Sequence, residues 1–125
     1  MREPVREWVE RRGLSPRDEV PKCGKVPDVL GVSGDHIILA VEMKVSAWQR
    51  ALRQATLYTM FASESYVAMP EDKEELLKKN IGRFERWNIG ILIVDRDNNV
   101  RLLRSPSGDT HESNEDSDCS DGSLR

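Results

Sequence analysis

Apolar positions along the chain follow two periods, one helical and one of strands. Val5, Trp8 and Val9 recur at helical spacing before Gly13, which predicts a short amphipathic helix over 4–12. Residues 14–25 are charged and hold Pro16 and Pro21, so an irregular connection is expected there, with at most a short edge strand near 19–22. Apolar runs at 26–32 and 36–45 flank Ser33-Gly34-Asp35, which is turn chemistry for a β-hairpin. The helical period returns over 47–62. Ala47, Ala51, Ala55, Tyr58 and Ala62 fall on one side with Trp48, and Gln49, Arg53 and Thr56 fall opposite. Small residues on that side let the helix approach a sheet closely. A strand over 65–69 follows, then a helix opened by Pro70-Glu71-Asp72, whose acids lie where the helix dipole favours them. Glu74/Lys78 and Glu75/Lys79 support this helix at i,i+4. A strand over 89–95, a turn and a hairpin arm over 100–104 complete the order α-β-β-α-β-α-β-β. That order predicts an α/β domain with a central mixed β-sheet flanked by helices.

A chain of 125 residues with 38% hydrophobic content supports one core and not two. The expected division is a single domain over 1–104 and an acidic, disordered tail over 105–125, rich in Ser, Asp, Glu and Gly. No apolar stretch approaches a membrane span, and the first residues lack the apolar core of a signal peptide, so a soluble, intracellular (cytoplasmic) protein without membrane contact is expected. Cys23 and Cys119 are too few for a disulfide framework or a zinc site and read as reduced thiols. A net charge of −3 argues against a nucleic-acid partner until its distribution is considered. The tail holds six of the 22 acids and one of the 19 bases, which leaves a body of 18 bases and 16 acids, compatible with phosphate binding.

The informative chemistry lies in the run Ile37-Ile38-Leu39-Ala40-Val41-Glu42-Met43-Lys44-Val45. Glu42 and Lys44 are two apart, so a strand puts both on one face. Charges on an apolar strand face are costly unless each finds a partner. An E-x-K triplet alone is weak, since roughly one is expected by chance at this composition. Glu71-Asp72-Lys73 is that chance occurrence, at a solvated helix start. What distinguishes Glu42-Met43-Lys44 is its buried setting and an acid one hairpin arm away, Asp28 in Val26-Pro27-Asp28-Val29-Leu30. Asp28 and Glu42 share a face only if paired positions sum to an even number, which needs an odd loop such as Gly34-Asp35-His36, or a bulge. Given that register, Asp28, Glu42 and the Met43 carbonyl form an all-oxygen set suited to Mg²⁺ or Mn²⁺. Lys44 is then placed to orient or deprotonate a water and to offset charge on a phosphorane.

With these residues the chain resembles the PD-(D/E)XK, or restriction-endonuclease-like, nuclease superfamily: Pro27-Asp28 for the first element, Glu42-Met43-Lys44 for the second, then a helix and a strand. Gln54-Ala55-Thr56-Leu57-Tyr58 is similar to the Q-x-x-x-Y signature of RecB-like nucleases, and the helical wheel independently aims Gln54 towards the sheet. The resemblance covers about residues 3–94 and implies an α-β-β-α-β core with an added helix and C-terminal hairpin, plus one strand supplied by 14–25. It implies a metal-dependent phosphodiesterase leaving a 5′-phosphate. Its catalytic residues would be Asp28, Glu42 and Lys44, and Gln54 and Tyr58 would place the strand of a nucleic acid, DNA more than RNA. Arg50 is a phosphate contact in the same reading. Relatives often carry a glutamate on the first helix, but Glu3, Glu7 and Glu10 fall away from the Val5/Trp8/Val9 face, so that role is not transferred.

Plainer readings stand beside these. The three charges could be a structural salt bridge at a sheet end, Gln54 could bond a carbonyl, and Arg50 and Arg53 could be a solvated helix face. Trp8, Trp48 and Trp87 fit core packing better than base stacking, and neither His36 nor His111 is placed to serve as ligand or base. The tail is a solubilising appendage or a competitor for nucleic acid. A different class of function, a non-catalytic nucleic-acid-binding or scaffold protein of the same fold, is favoured by small size, since so short a chain needs a homodimer or larger partner to encircle a duplex. A repair or junction-resolving role would differ only in substrate.

Overall fold

Six strands, β1 (Ser15–Asp18), β2 (Val29–Ser33), β3 (His36–Met43), β4 (Glu64–Pro70), β5 (Gly90–Val94) and β6 (Val100–Arg104), form one sheet in chain order. The computed structural model describes residues 1–106. β3, β4 and β5 run parallel and the other neighbours are antiparallel, so the sheet is mixed, as expected. Parallel neighbours need crossovers. The first is helix α2 (Trp48–Tyr58); the second is a 3-10 turn (Glu71–Lys73) with helices α3 (Glu74–Lys79) and α4 (Ile81–Arg86). Leu77 and Phe84 from the second crossover join Trp48, Ala51, Leu52 and Ala55 of α2 against Val67, Met69, Ile91 and Ile93, so both crossovers cover one face. Helix α1 (Arg2–Arg11) lays Val5 and Val9 on the other face against Val29, Leu39, Val41, Ala68 and Leu92.

Several boundaries move for local reasons. The edge strand lies at Ser15–Asp18 and not near 19–22, because Glu19 (φ 53), Cys23 (φ 56) and Gly24 (φ 77) turn the backbone left-handed there. Pro16 is tolerated because β1 has a neighbour on one side only. The helix expected over 47–62 stops at Tyr58, where the Thr59 hydroxyl donates to the Thr56 carbonyl at 2.7 Å. Ala47 is its left-handed N-cap (φ 60) and is exposed, which corrects its place on the buried side. The later helix breaks at Asn80, whose amide donates to the Leu76 carbonyl at 2.9 Å. Of the three tryptophans, Trp48 is buried and Trp8 packs edge-on to Tyr66 with centroids 5.1 Å apart, but Trp87 is 52% exposed, against the expectation of core packing. Cys23 is disulfide-bonded, correcting the reduced-thiol reading at that position. Apart from Ser105 and Pro106, the expected tail with His111 and Cys119 lies outside the described residues. Among the described residues no helix is long and apolar enough to cross a membrane.

Gly31 is where β2 passes closest to its neighbours. A Cβ there would lie 2.9 Å from Leu39 Cγ and 3.1 Å from Leu14 Cδ1. Gly31→Val is therefore expected to cost about 1–3 kcal/mol by overpacking, read as a lower midpoint in urea; an unchanged midpoint would show that β2 and β3 part freely there.

Candidate metal and phosphodiester site

The hairpin decides whether the site exists. Ser33 pairs with His36 across a two-residue turn, Gly34-Asp35, with Gly34 at φ 61. Continued without interruption, that odd-sum register would put Asp28 opposite Val41 and away from Glu42. A bulge intervenes: Val32 pairs with Ile37 but Gly31 pairs with Leu39, leaving Ile38 as the extra residue. From there Leu30 meets Ala40 and Val29 meets Val41, and the same even register carries Asp28, just before β2, to the face of Glu42. Of the two routes the sequence allowed, the chain uses the bulge.

Asp28 is tied at both ends. Its Oδ2 accepts the Met43 N–H at 2.8 Å, and its carbonyl accepts Arg2 Nη1 at 2.9 Å and the Glu19 N–H at 3.3 Å. Glu42 pairs with Val67 on the face covered by α2 and is 6% exposed. The Tyr58 hydroxyl donates to Glu42 Oε1, and Lys44 Nζ lies 3.3 Å from Oε2. Tyr58 stands at the far end of α2 yet reaches the carboxyl end of β3, because helical side chains lean towards their own N-terminus. Lys44 follows β3 directly, its N–H held by the Ala68 carbonyl at 3.1 Å. Met43 turns its side chain to the α1 face while its N–H bonds the Asp28 carboxylate. The group thus sits at the carboxyl ends of parallel strands, where open α/β sheets bind ligands.

The electrostatics differ from those of a finished ion pair. Burial raises the Glu42 carboxyl above the ordinary carboxylate value and Asp28 raises it further, and the opposing hydrogen bond from Tyr58 and charge of Lys44 do not compensate. Glu64 provides the contrast. It is also penalised by burial, but hydrogen bonds from Arg12 (2.9 Å) and Tyr66 (2.7 Å) outweigh that, and its carboxyl lies low. Burial and the Glu42 carboxylate push the Tyr58 phenol well up, so it remains a donor. Two near carboxylates with one left hard to ionise are the arrangement that a divalent cation relieves. The residues present therefore fit Mg²⁺ or Mn²⁺. Among the described residues no group of three or more His, Cys, Asp and Glu side chains converges, and the set proposed needs two carboxylates and a carbonyl.

No family model, curated protein or solved structure matches this chain. The site is accordingly read from its own chemistry. Asp28, Glu42, Lys44 and Tyr58 are brought together; Gln54 lies one turn before Tyr58 and is half-buried, and Arg50 is exposed in the first turn of α2. Neither Gln54 nor Arg50 hydrogen-bonds the central group. Glu3, Glu7 and Glu10 are exposed on α1, in keeping with the helical wheel. Sequence reasoning placed Tyr58 at the border of the site but missed its bond to Glu42; the signal was the sheet-facing phenol itself, a polar group on a buried side with Trp48, Ala51, Leu52 and Ala55.

Proposed function

We propose that this chain is a metal-dependent phosphodiesterase acting on nucleic acid, DNA before RNA, on a restriction-endonuclease-like fold. The observation that carries the reading is the convergence of Asp28, Glu42 and Lys44 at one sheet end, with Glu42 buried and its charge incompletely offset. Asp28, Glu42 and the Met43 carbonyl would hold Mg²⁺ or Mn²⁺, which take oxygen donors. Bound there, the ion would supply Lewis acidity and an acidified water. Tyr58 keeps one Glu42 oxygen oriented by donating to it. The Lys44 ammonium, one-third exposed beside Glu42, is placed to orient the attacking water and to offset charge as the phosphorus becomes pentavalent.

The test is a Mn²⁺ titration of the full chain followed by melting. A competent site stabilises the fold by about 2.7 kcal/mol at a hundred times the dissociation constant, and Glu42→Ala removes the gain. No gain with the native chain, or a gain that survives Glu42→Ala, would count against the metal site. Turnover is read with Mg²⁺ or Mn²⁺ on circular, linear, branched and single-stranded substrates. One observation favours the second reading, a nucleic-acid-binding or scaffold protein without turnover: Glu42 already has two partners, Tyr58 and Lys44, as a structural ion pair would. Under that reading Mn²⁺ leaves the melt unchanged.

A further inference from the structure

Among the described residues, most exposed arginines without an ion pair, Arg11 and Arg17 apart, gather on α2 and α4. Arg2, Arg6, Arg12, Arg96 and Arg101 each lie against a carboxylate. Arg50 and Arg53 on α2, and Arg83 and Arg86 on α4, are exposed and form no ion pair among the described residues. Within each helix the two arginines are three apart and so are neighbours on its surface, where like charges repel and an anion relieves them. The two helices meet at the start of α2: the Arg83 guanidinium lies 5.5 Å from the Trp48 ring centroid, and Trp48 packs on Phe84 at 5.8 Å. No acid occurs between Glu42 and Glu64, and α4 contains only Glu85.

Beyond α4 stands Trp87, 52% exposed, with Arg86 5.6 Å from its ring. An indole left on the surface beside a guanidinium offers a stacking face to a base. A duplex shows proteins only base edges in its grooves, so a base that stacks on Trp87 must be unpaired. We propose that α2 and α4 form a track for single-stranded nucleic acid, in which the arginine pairs hold phosphates, Trp87 stacks a base, and the start of α2 leads the strand to Lys44. The proposal extends the phosphodiesterase reading by naming its substrate strand, and its binding arm is measured without turnover.

The full chain is titrated in EDTA with fluorescein-labelled oligo(dT) and with a duplex of the same length, at several salt concentrations, by anisotropy. Oligo(dT) is expected to bind more tightly than the duplex. Replacing all four arginines by alanine should lower the slope of log K against log salt by about 3, at about 0.7 per phosphate on a single strand. Replacing them by lysine should keep the slope, and melting each variant separates loss of contact from loss of fold. Trp87→Ala should weaken oligo(dT) by about 5- to 100-fold, with most of the affinity restored in Trp87→Phe and little change for the duplex. Preference for the duplex, an unaltered salt slope, or no effect of Trp87→Ala overturns the track. Oligo(dT) binding without cleavage in Mn²⁺ leaves the track standing and removes the phosphodiesterase reading; cleavage with undiminished binding by the arginine variant does the reverse.

Discussion

Lys44→Ala is expected to reduce metal-dependent phosphodiester hydrolysis by about 10²- to 10³-fold, the range for loss of one preorganised electrostatic group. The ammonium lies 3.3 Å from Glu42 Oε2, and because Glu42 is buried the loss of this partner should also lower the melt, so the rate is compared at a temperature where both proteins are folded. The loss should fall on kcat more than on KM, because a charge that acts on the pentavalent phosphorus is felt in the transition state. Lys44→Arg should recover part of the rate, since it keeps the charge but not the compact ammonium. Steady-state kinetics in Mg²⁺ and Mn²⁺ measure this directly. A Lys44→Ala protein that cleaves at the native rate would take this residue out of the chemistry.

Once Glu42 is ionised in the folded chain, Tyr58→Phe should cost about 1.5–3 kcal/mol, the range for a hydrogen bond to a charged group. The cost should depend on pH in a direction that Glu42 determines. The folded carboxyl is raised by burial and by Asp28, while the unfolded chain ionises at the ordinary carboxylate value. Between those two values the folded protein holds a proton that the unfolded chain has released, so this group's contribution to stability declines as pH rises and levels off above the folded pKa. The Tyr58 hydrogen bond is one of the interactions that lowers that folded value. Its removal moves the upper limit of the window higher, so the variant should lose stability relative to the native chain across the window, most of all above it. At acid pH, with Glu42 protonated in both states, the difference should shrink. Urea midpoints between about pH 4 and about pH 8 test this; a loss that is constant with pH would mean that Tyr58 acts by packing alone. By the same argument Glu42→Gln should stabilise the metal-free fold at neutral pH.

Much of the fold was legible because its elements are strongly periodic: the apolar runs that became β2 to β5 and the helical spacing that placed Ala51, Ala55 and Tyr58 inward appear as expected, while the expected Ser33-Gly34-Asp35 turn is shorter, since Ser33 pairs with His36. Errors gathered where tertiary context overrides local pattern. Trp87 has the composition of a core residue and none of the burial, because α4 ends before it and the chain turns at Asn88 (φ 58) into β5. Pro16 suggested a loop, but on an edge strand with one neighbour a missing N–H costs nothing.

By itself the sequence determined four of the six strands and the first two helices nearly in place, the mixed α/β class, the final hairpin arm and the identity of the three charges that required an explanation. Period, turn residues and the cost of burying charge are local properties, and local properties can be read from composition and spacing. Only the tertiary structure decided that Asp28 and Glu42 face the same way, since a single extra residue at Ile38 reverses every side chain beyond it. It alone set the hydroxyl of Tyr58 on Glu42 and left Arg83 and Arg86 against indole rings with no ion pair among the described residues, because both depend on which helices the crossovers bring to that face.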